Sequence, residues 1–316
     1  MCLLSFVCIY LFNFTIPRLM PGDPFDYTSA DASENTDVEI SEEQKEYLRA
    51  YYGLNKPWGE QLLETVGKNL RGDFGLSIHY KRPAAEIIAE RLPWTLFIMG
   101  TTLVLSLLVG TSLALVGVRR PGLDRVTFGI SSFLSEVPSY LIGILLLFLV
   151  AARVKAIPLS GAVTAFARYE SHWQWLGDVL IHAFLPVLSL CIFLVPKFYF
   201  TARASFLHIA GKPYLVNAKA RGLKERRIRW RYLFVNGVTP ILARFFLSVG
   251  AAIGGTMLIE NVFAYPGLGT VMREAVKYRD YIMIQDIFLL STVLVLVSLL
   301  ISDLLSGLVD RRGEQA

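Results

Sequence analysis

Side chains able to carry covalent chemistry are sparse in this chain. Its cysteines, Cys2, Cys8 and Cys191, all sit in apolar stretches without C-x-x-C spacing, so they read as small hydrophobes. The four histidines, His79, His172, His182 and His208, form neither H-E-x-x-H nor an i, i+4 pair, which leaves no zinc-type ligand set. A phosphate cradle is also missing: Gly67-Lys68 and Gly211-Lys212 lack the earlier glycine of G-x-x-x-x-G-K-[ST] and are followed by Asn69 and Pro213. No Ser/His/Asp or paired-carboxylate pattern points to an enzyme. What the sequence offers instead is charge set inside long apolar stretches, at Glu136, Arg244 and Asp286. An ionisable group in hydrocarbon needs a partner or a watered path, so the chemistry these residues suggest is solute passage, not bond making.

The composition agrees with a membrane as solvent. Of 316 residues 54% are hydrophobic and only 18% charged, and the mean hydropathy is +0.49. A disordered, collagenous or disulfide-scaffold protein is excluded, and a soluble globular domain is a poor fit. A bilayer core about 30 Å thick needs about 20 apolar residues in helix. Spans are expected at residues 92–118, 126–152, 179–196, 232–259 and 281–309, with a shorter one at 2–16. The short opening stretch lacks a basic start and a small-x-small cleavage site, so it reads as a retained helix, with an upstream part of the span expected before Met1.

Topology follows from Lys and Arg. Arg119, Arg120 and Arg125 stand after the second span, and Arg203, Lys212, Lys219, Arg221, Lys224, Arg226, Arg227, Arg229 and Arg231 after the fourth. The positive-inside bias puts both connections, and both termini, in the cytoplasm, and turns the acidic segment between the first two spans outward. The net charge of +5 is explained by this topology and needs no nucleic acid. The expected organisation is therefore a first helix at 1–20, an extracytoplasmic insertion at 21–91, and a five-helix core at 92–316.

The connection at about 203–231 is too long for a plain turn and is patterned. Pro213 suits a first helical turn, Tyr214, Leu215, Ala218 and Leu223 fall near helical spacing, and Gly222 suits a C-cap. Such a short helix could enter a groove on another protein or lie on anionic lipid, and composition alone does not choose. The stretch PYLVNAKARGLKERRIRWRYLFVNGVTPIL resembles the cytoplasmic "EAA" loop of ABC importer permeases, in particular the B-type subunit of the dipeptide, oligopeptide and nickel group. Val216, Asn217 and Ala218 occupy the E-A-A positions and Gly222 the glycine, while Asn236 and Pro240 match a later Asn and Pro. The departures are Pro213 for the usual acid, and Val216 and Asn217 within the tripeptide. PGDP at 21–24, YGLNKP at 52–57, GDFGLS at 72–77, Glu260, YPGLG at 265–269, RDY at 279–281, Gln285 and Asp303 extend the resemblance over nearly the whole chain.

The resemblance implies an all-α polytopic protein of six transmembrane helices with the type I ABC importer permease fold. It implies a prokaryotic plasma (inner) membrane, a second, C-type permease subunit, two ABC ATPase subunits and an extracytoplasmic solute-binding protein. ATP and Mg would be used on the partner ATPases and no cofactor would be held by this chain. Tyr214, Asn217, Ala218, Gly222 and Lys224 would form the ATPase-coupling surface. Glu136, Arg244 and Asp286 are candidates for the translocation path, Glu136 roughly 16 Å into its span and paired with Arg244 or lining the route. Peptides, nickel or other small solutes fit this group as cargo. The competing class is an ion-coupled carrier or channel using those charges without ATPases.

Overall fold

The computed structural model describes residues 2–20, 25 and 41–313; the PGDP stretch at 21–24 and most of the acidic stretch that follows it lie outside the described residues. All the regular elements among the described residues are helices, joined by one isolated β-bridge between Leu76 and Pro83. In order they are α1 (Cys2–Arg18), α2 (Glu42–Tyr51), α3 (Trp58–Leu70), α4 (Ala84–Gly117), α5 (Pro121–Ser135), α6 (Ser139–Leu146), α7 (His172–Ala210), α8 (Pro213–Ala220), α9 (Glu225–Arg227), α10 (Val235–Val262), α11 (Leu268–Lys277) and α12 (Tyr281–Gly313). Wider π turns at Leu147–Ala151 and Ile228–Phe234 extend α6 and lead into α10.

Among the described residues, four helical stretches are long and apolar enough to cross a bilayer: Ala84–Gly117, His172–Ala210, Glu225–Val262 and Tyr281–Leu305. The uninterrupted span expected at 126–152 is instead two helices, Pro121–Ser135 and Ser139–Ala151, meeting at 98°. Pro138 supplies the reason. It lacks the N–H that would continue the ladder and disfavours helical geometry at Val137, so α5 ends on Glu136 as its C-cap and α6 starts after Pro138. Taken as one broken span, this pair is the fifth; the N-terminal apolar helix, Leu4–Arg18, is shorter than the others. The expected second span also begins earlier than residue 92, since α4 starts at Ala84 and carries Pro93 within it.

The chain forms two compact units, one of Met1–Pro93 with Gly267–Val293 and one of Trp94–Pro266 with Leu294–Ala316. The division expected from sequence, at residues 20 and 91, differs from this because segment 267–293 folds with the N-terminal part. In the first unit Asn13 donates to Thr292 Oγ1 at 3.3 Å and Arg18 to Gln285 Oε1 at 3.2 Å, which ties α1 to α12. Asn69 donates to the Tyr10 hydroxyl at 3.1 Å and fixes α3 beside α1. Ser41 closes a capping box with Gln44 at the start of α2, satisfying two orphan donors of that exposed helix.

In the second unit the helices approach through small residues. Where α4 meets α7, a Cβ on Gly110 would lie 2.7 Å from Phe198 Cβ and 2.8 Å from the Val195 carbonyl oxygen, so only hydrogen fits. Such contacts suit a membrane, where backbones gain van der Waals packing by close approach and helices gain little from excluding water. Met99, Leu103, Leu194, Phe198, Val249, Ala252 and Ile253 fill one core between α4, α7 and α10. At 39 residues α7 is about 58 Å long and therefore reaches well beyond a hydrocarbon layer.

Candidate functional site

The projecting end of α7 carries the patterned connection. After Gly211 the chain turns, Pro213 opens α8, and α8 ends at Ala220, as the proline and glycine signals predict. Gly222 holds φ at +68°, the Arg221 amide donates to Asn217 O at 3.0 Å, and the Leu223 amide reaches back to Ala218 O at 3.4 Å. That left-handed residue directs the chain out of α8 and into α9.

One face of α8 is committed to the chain's own interior. Leu215 and Ala218 are buried, joining Ala114 and Leu115 of α4, Tyr199, Ala202, Phe206 and Ile209 of α7, Ile228 and Leu233 of the π turn, and Ile241 of α10. The i, i+3 spacing puts these two on one side of the helix. Burying a leucine side chain contributes about 1.5–3 kcal/mol, enough to hold a short helix that would be marginal alone. Ala218 was expected at a docking surface; it is 3% exposed, and its small side chain lets α8 lie close on its own helices. The opposite face carries Tyr214, Val216 and Asn217, with Gly222 and Lys224 exposed beyond it. Val216 is 60% exposed, an apolar side chain left at the surface.

Two ion pairs brace this end of the second unit, one on the platform and one between α5 and α7. Arg119 pairs with Glu225 at the start of α9. Asp124 accepts from Arg203 Nε at 2.8 Å and Nη2 at 2.7 Å, and from the Tyr199 hydroxyl at 2.6 Å. A fork-shaped guanidinium on a carboxylate fixes direction as well as distance, so α5 is clamped to the inner part of α7. A Cβ on Gly117 would lie 2.9 Å from Asp124 Oδ1, so this glycine leaves room for the clamp.

The three intramembrane charges fall in different surroundings. Glu136 lies at the α5–α6 break, exposed, with the Ser135 hydroxyl 3.4 Å from its Oε1. Arg244 is half-buried on α10, its Nε buried without an acceptor. Among the described residues no ion pair joins it to Glu136. The expected Glu136–Arg244 pair is therefore not formed, because Pro138 turns Glu136 out of a continuous span. Asp286 lies in the second turn of α12 within the first unit, 4% exposed, with Oδ2 unpartnered. It lines a cavity of about 90 Å³ with Arg18, Thr65, Asn69, Asp73 and Gln285.

A feature that motif spelling alone does not reveal is the hub at Asp280. Standing just before α12, Asp280 is wholly buried and accepts from the Met283 amide at 3.1 Å, as a helix N-cap does. Its other oxygen accepts from the Ser77 hydroxyl and from the His79 amide at 3.1 Å. Thus the GDFGLS and RDY segments, more than two hundred residues apart, meet on one carboxylate. Beside them the His79 ring stacks on Tyr278 with centroids 3.9 Å apart, and Tyr80 donates its hydroxyl to Glu274. Burial and that carboxylate push the Tyr80 phenol above its ordinary range.

Comparison with known proteins gives a consistent result. A family model described as binding-protein-dependent transport system inner membrane component matches residues 96–315. Over 310 residues the chain is 30% identical to the oligopeptide transport system permease protein AppB of Bacillus subtilis (strain 168), covering 97% of this chain and 94% of that protein. A probable peptide ABC transporter permease protein, y4tP of Sinorhizobium fredii, is 30% identical over 305 residues, 96% of this chain and 93% of its own. The dipeptide transport system permease protein DppB of Escherichia coli (strain K12) is 27% identical over 327 residues, covering 98% of this chain and 94% of that protein.

Proposed function

We propose, from the premise that this chain belongs to the family of binding-protein-dependent transport system inner membrane components, that it is the B-type permease subunit of an ATP-driven importer carrying peptides. The chain is a permease component of an ABC transporter. That membership leaves no observation in favour of an ion-coupled carrier or channel. Peptide cargo is supported by the functions named for the oligopeptide and dipeptide relatives. The partners in this reading are a C-type permease, two ATPases that use ATP and Mg, and an extracytoplasmic binding protein. Both termini and the α8 platform face the cytoplasm, by the placement of Lys and Arg.

The observation that carries the reading is the two-faced α8. Leu215 and Ala218 anchor it inward while Tyr214, Val216, Asn217, Gly222 and Lys224 are left for a partner. Because the platform is packed on α4, α7 and α10 and tied to Arg119 through Glu225, a displacement imposed on it is passed to membrane helices as a rigid movement. Nucleotide-driven closure of two ATPases would supply that displacement. Glu136, Arg244 and Asp286 are retained as candidates for the path or its margins.

The test is purification of the assembly from its native membrane in mild detergent, beside a form carrying Val216→Asp. This substitution alters the outward face of α8 and leaves the inward face untouched. The native form is expected to bring down an ATPase and a second permease and to hydrolyse ATP, with the variant losing the ATPase while keeping the permease partner. A chain that purifies alone and without ATPase activity would sink the proposal.

A further inference from the structure

The cavity beside Asp286 is lined by two polar atoms that the fold leaves unanswered. Asp286 Oδ2, an acceptor, and Gln285 Nε2, a donor, are enclosed on neighbouring residues of α12 without hydrogen-bond partners, and the two residues are only 4% and 3% exposed. The charges around this space of about 90 Å³ come in both signs, Arg18 and Lys68 against Asp73 and Asp286. Lys68 is already held by Glu64 at 2.9 Å. The Arg18 guanidinium is bound through Nε to Gln61 and through Nη1 to the Phe14 carbonyl and Gln285, which leaves Nη2 uncommitted among the described residues. A buried carboxylate oxygen and a buried amide N–H without partners are both costly, so the cavity calls for a group that donates to one and accepts from the other.

Water alone would meet that demand, but the surroundings ask for more. Asn69, Phe74 and Asp286 also line an apolar groove of about 700 Å³ between α1, α3, the first turns of α4 and α12. Val7, Leu11, Leu63 and Val293, all exposed, are among its walls, and the whole groove belongs to the first unit. Its level in the membrane follows from the helix ends. Asp286 lies five residues into α12, about 8 Å along the axis, and Arg18, the last residue of α1, reaches Gln285 on the same turn. In the orientation proposed above both of these ends are extracytoplasmic. On α3 the residues Trp58, Leu62, Val66 and Leu70 follow one another at i, i+4, and Trp58, Leu63 and Leu70 are exposed, as on a helix lying in the plane of the interface. A polar cavity with charges of both signs, adjoining an apolar groove at the level of the outer headgroups, matches the two ends of a zwitterionic lipid.

We propose that this cavity and groove seat one phospholipid of the extracytoplasmic leaflet whose headgroup carries a primary ammonium, as in phosphatidylethanolamine. The ammonium would donate to Asp286 Oδ2, and the phosphate would accept from Gln285 Nε2 and Arg18 Nη2. The acyl chains would lie in the groove against α1 and α3. The proposal rests on the membrane orientation given above, not on the ATPases or the cargo, so it and the importer reading can fail separately.

The test uses the assembled complex in nanodiscs that mix phosphatidylethanolamine, phosphatidylcholine and phosphatidylglycerol, read by native mass spectrometry for lipid that survives desolvation. The native complex is expected to retain phosphatidylethanolamine over phosphatidylcholine, which keeps the zwitterion but has no ammonium N–H, and over phosphatidylglycerol, which has no cation. Asp286→Asn should cut that preference about tenfold, the loss of one charge-assisted hydrogen bond. Glu170→Gln, at an exposed carboxylate of the other unit, should leave it unchanged. Ala89→Trp, which fills the groove from an exposed helix position, should lower retention of phosphatidylethanolamine with the carboxylate intact, and it decides the matter if Asp286→Asn does not assemble. Indifference of the native complex to the headgroup overturns the proposal, as does an unchanged preference in Asp286→Asn, which would leave the cavity to water. If Asp286→Asn keeps the lipid and instead loses import of peptides with a free amino terminus, the carboxylate serves the cargo and the lipid assignment is wrong.

Discussion

Gly222 shows how far one residue can be read. With φ at +68° it occupies a conformation that a β-branched side chain adopts only under strain, yet a Cβ there would meet nothing within 4 Å. The restriction is therefore torsional, not steric. Gly222→Asn, which tolerates left-handed geometry, is expected to preserve ATPase co-purification. Gly222→Val should weaken the α8–α9 turn by about 1–2 kcal/mol and reduce recovery of the ATPase without lowering recovery of the permease partner. The check is quantitative co-purification of the two forms, and equal recovery would remove the turn from the coupling argument. Ala218 teaches the complementary point. A small residue at an E-A-A position looked like room for a partner, but its i, i+3 neighbour Leu215 turns that face inward.

Between helices, the close approaches differ in what would have to move. At Gly110 the obstacle is the backbone of α7 and the Cβ of Phe198, whereas at Gly143 it is the end of the Ile259 side chain at 2.7 Å. Gly110→Ala should therefore be the more damaging, by roughly 1–3 kcal/mol, with Gly143→Ala milder because Ile259 can change rotamer. Thermal melts of the purified assembly followed by thiol reactivity at the half-buried Cys191 would show the order, and the reverse order would mean that α4 and α7 are not packed as described. Helix existence was legible because hydropathy over about 20 residues leaves few alternatives in lipid. The proline and glycine punctuation of α8 was legible for the same local reason. What escaped was tertiary: Pro138 broke a span whose apolar composition was continuous, and the Asp280 hub joins segments that no local pattern connects. Glu136 and Arg244 looked like partners by depth alone, and depth counted along separate helices carries no information about azimuth.

For the molecule as a whole, the orientation is the claim on which the others hang. In a chain with its native cysteines replaced, Phe166→Cys, in the exposed loop before α7, should react with an impermeant maleimide from outside the cell. Arg226→Cys, within α9, should react only after the membrane is opened. The opposite pattern would invert the reading and with it the place of the ATPases. The broken span also bears on biosynthesis. At 15 residues α5 is about 22 Å long, short of the hydrocarbon thickness, and α6 with its π turn is shorter still. Neither half alone is long enough to be a complete signal for the insertion machinery. Residues 121–151 must therefore enter the bilayer as a unit sheltered by helices already there, which makes the order in which neighbouring spans leave the ribosome part of what this sequence encodes.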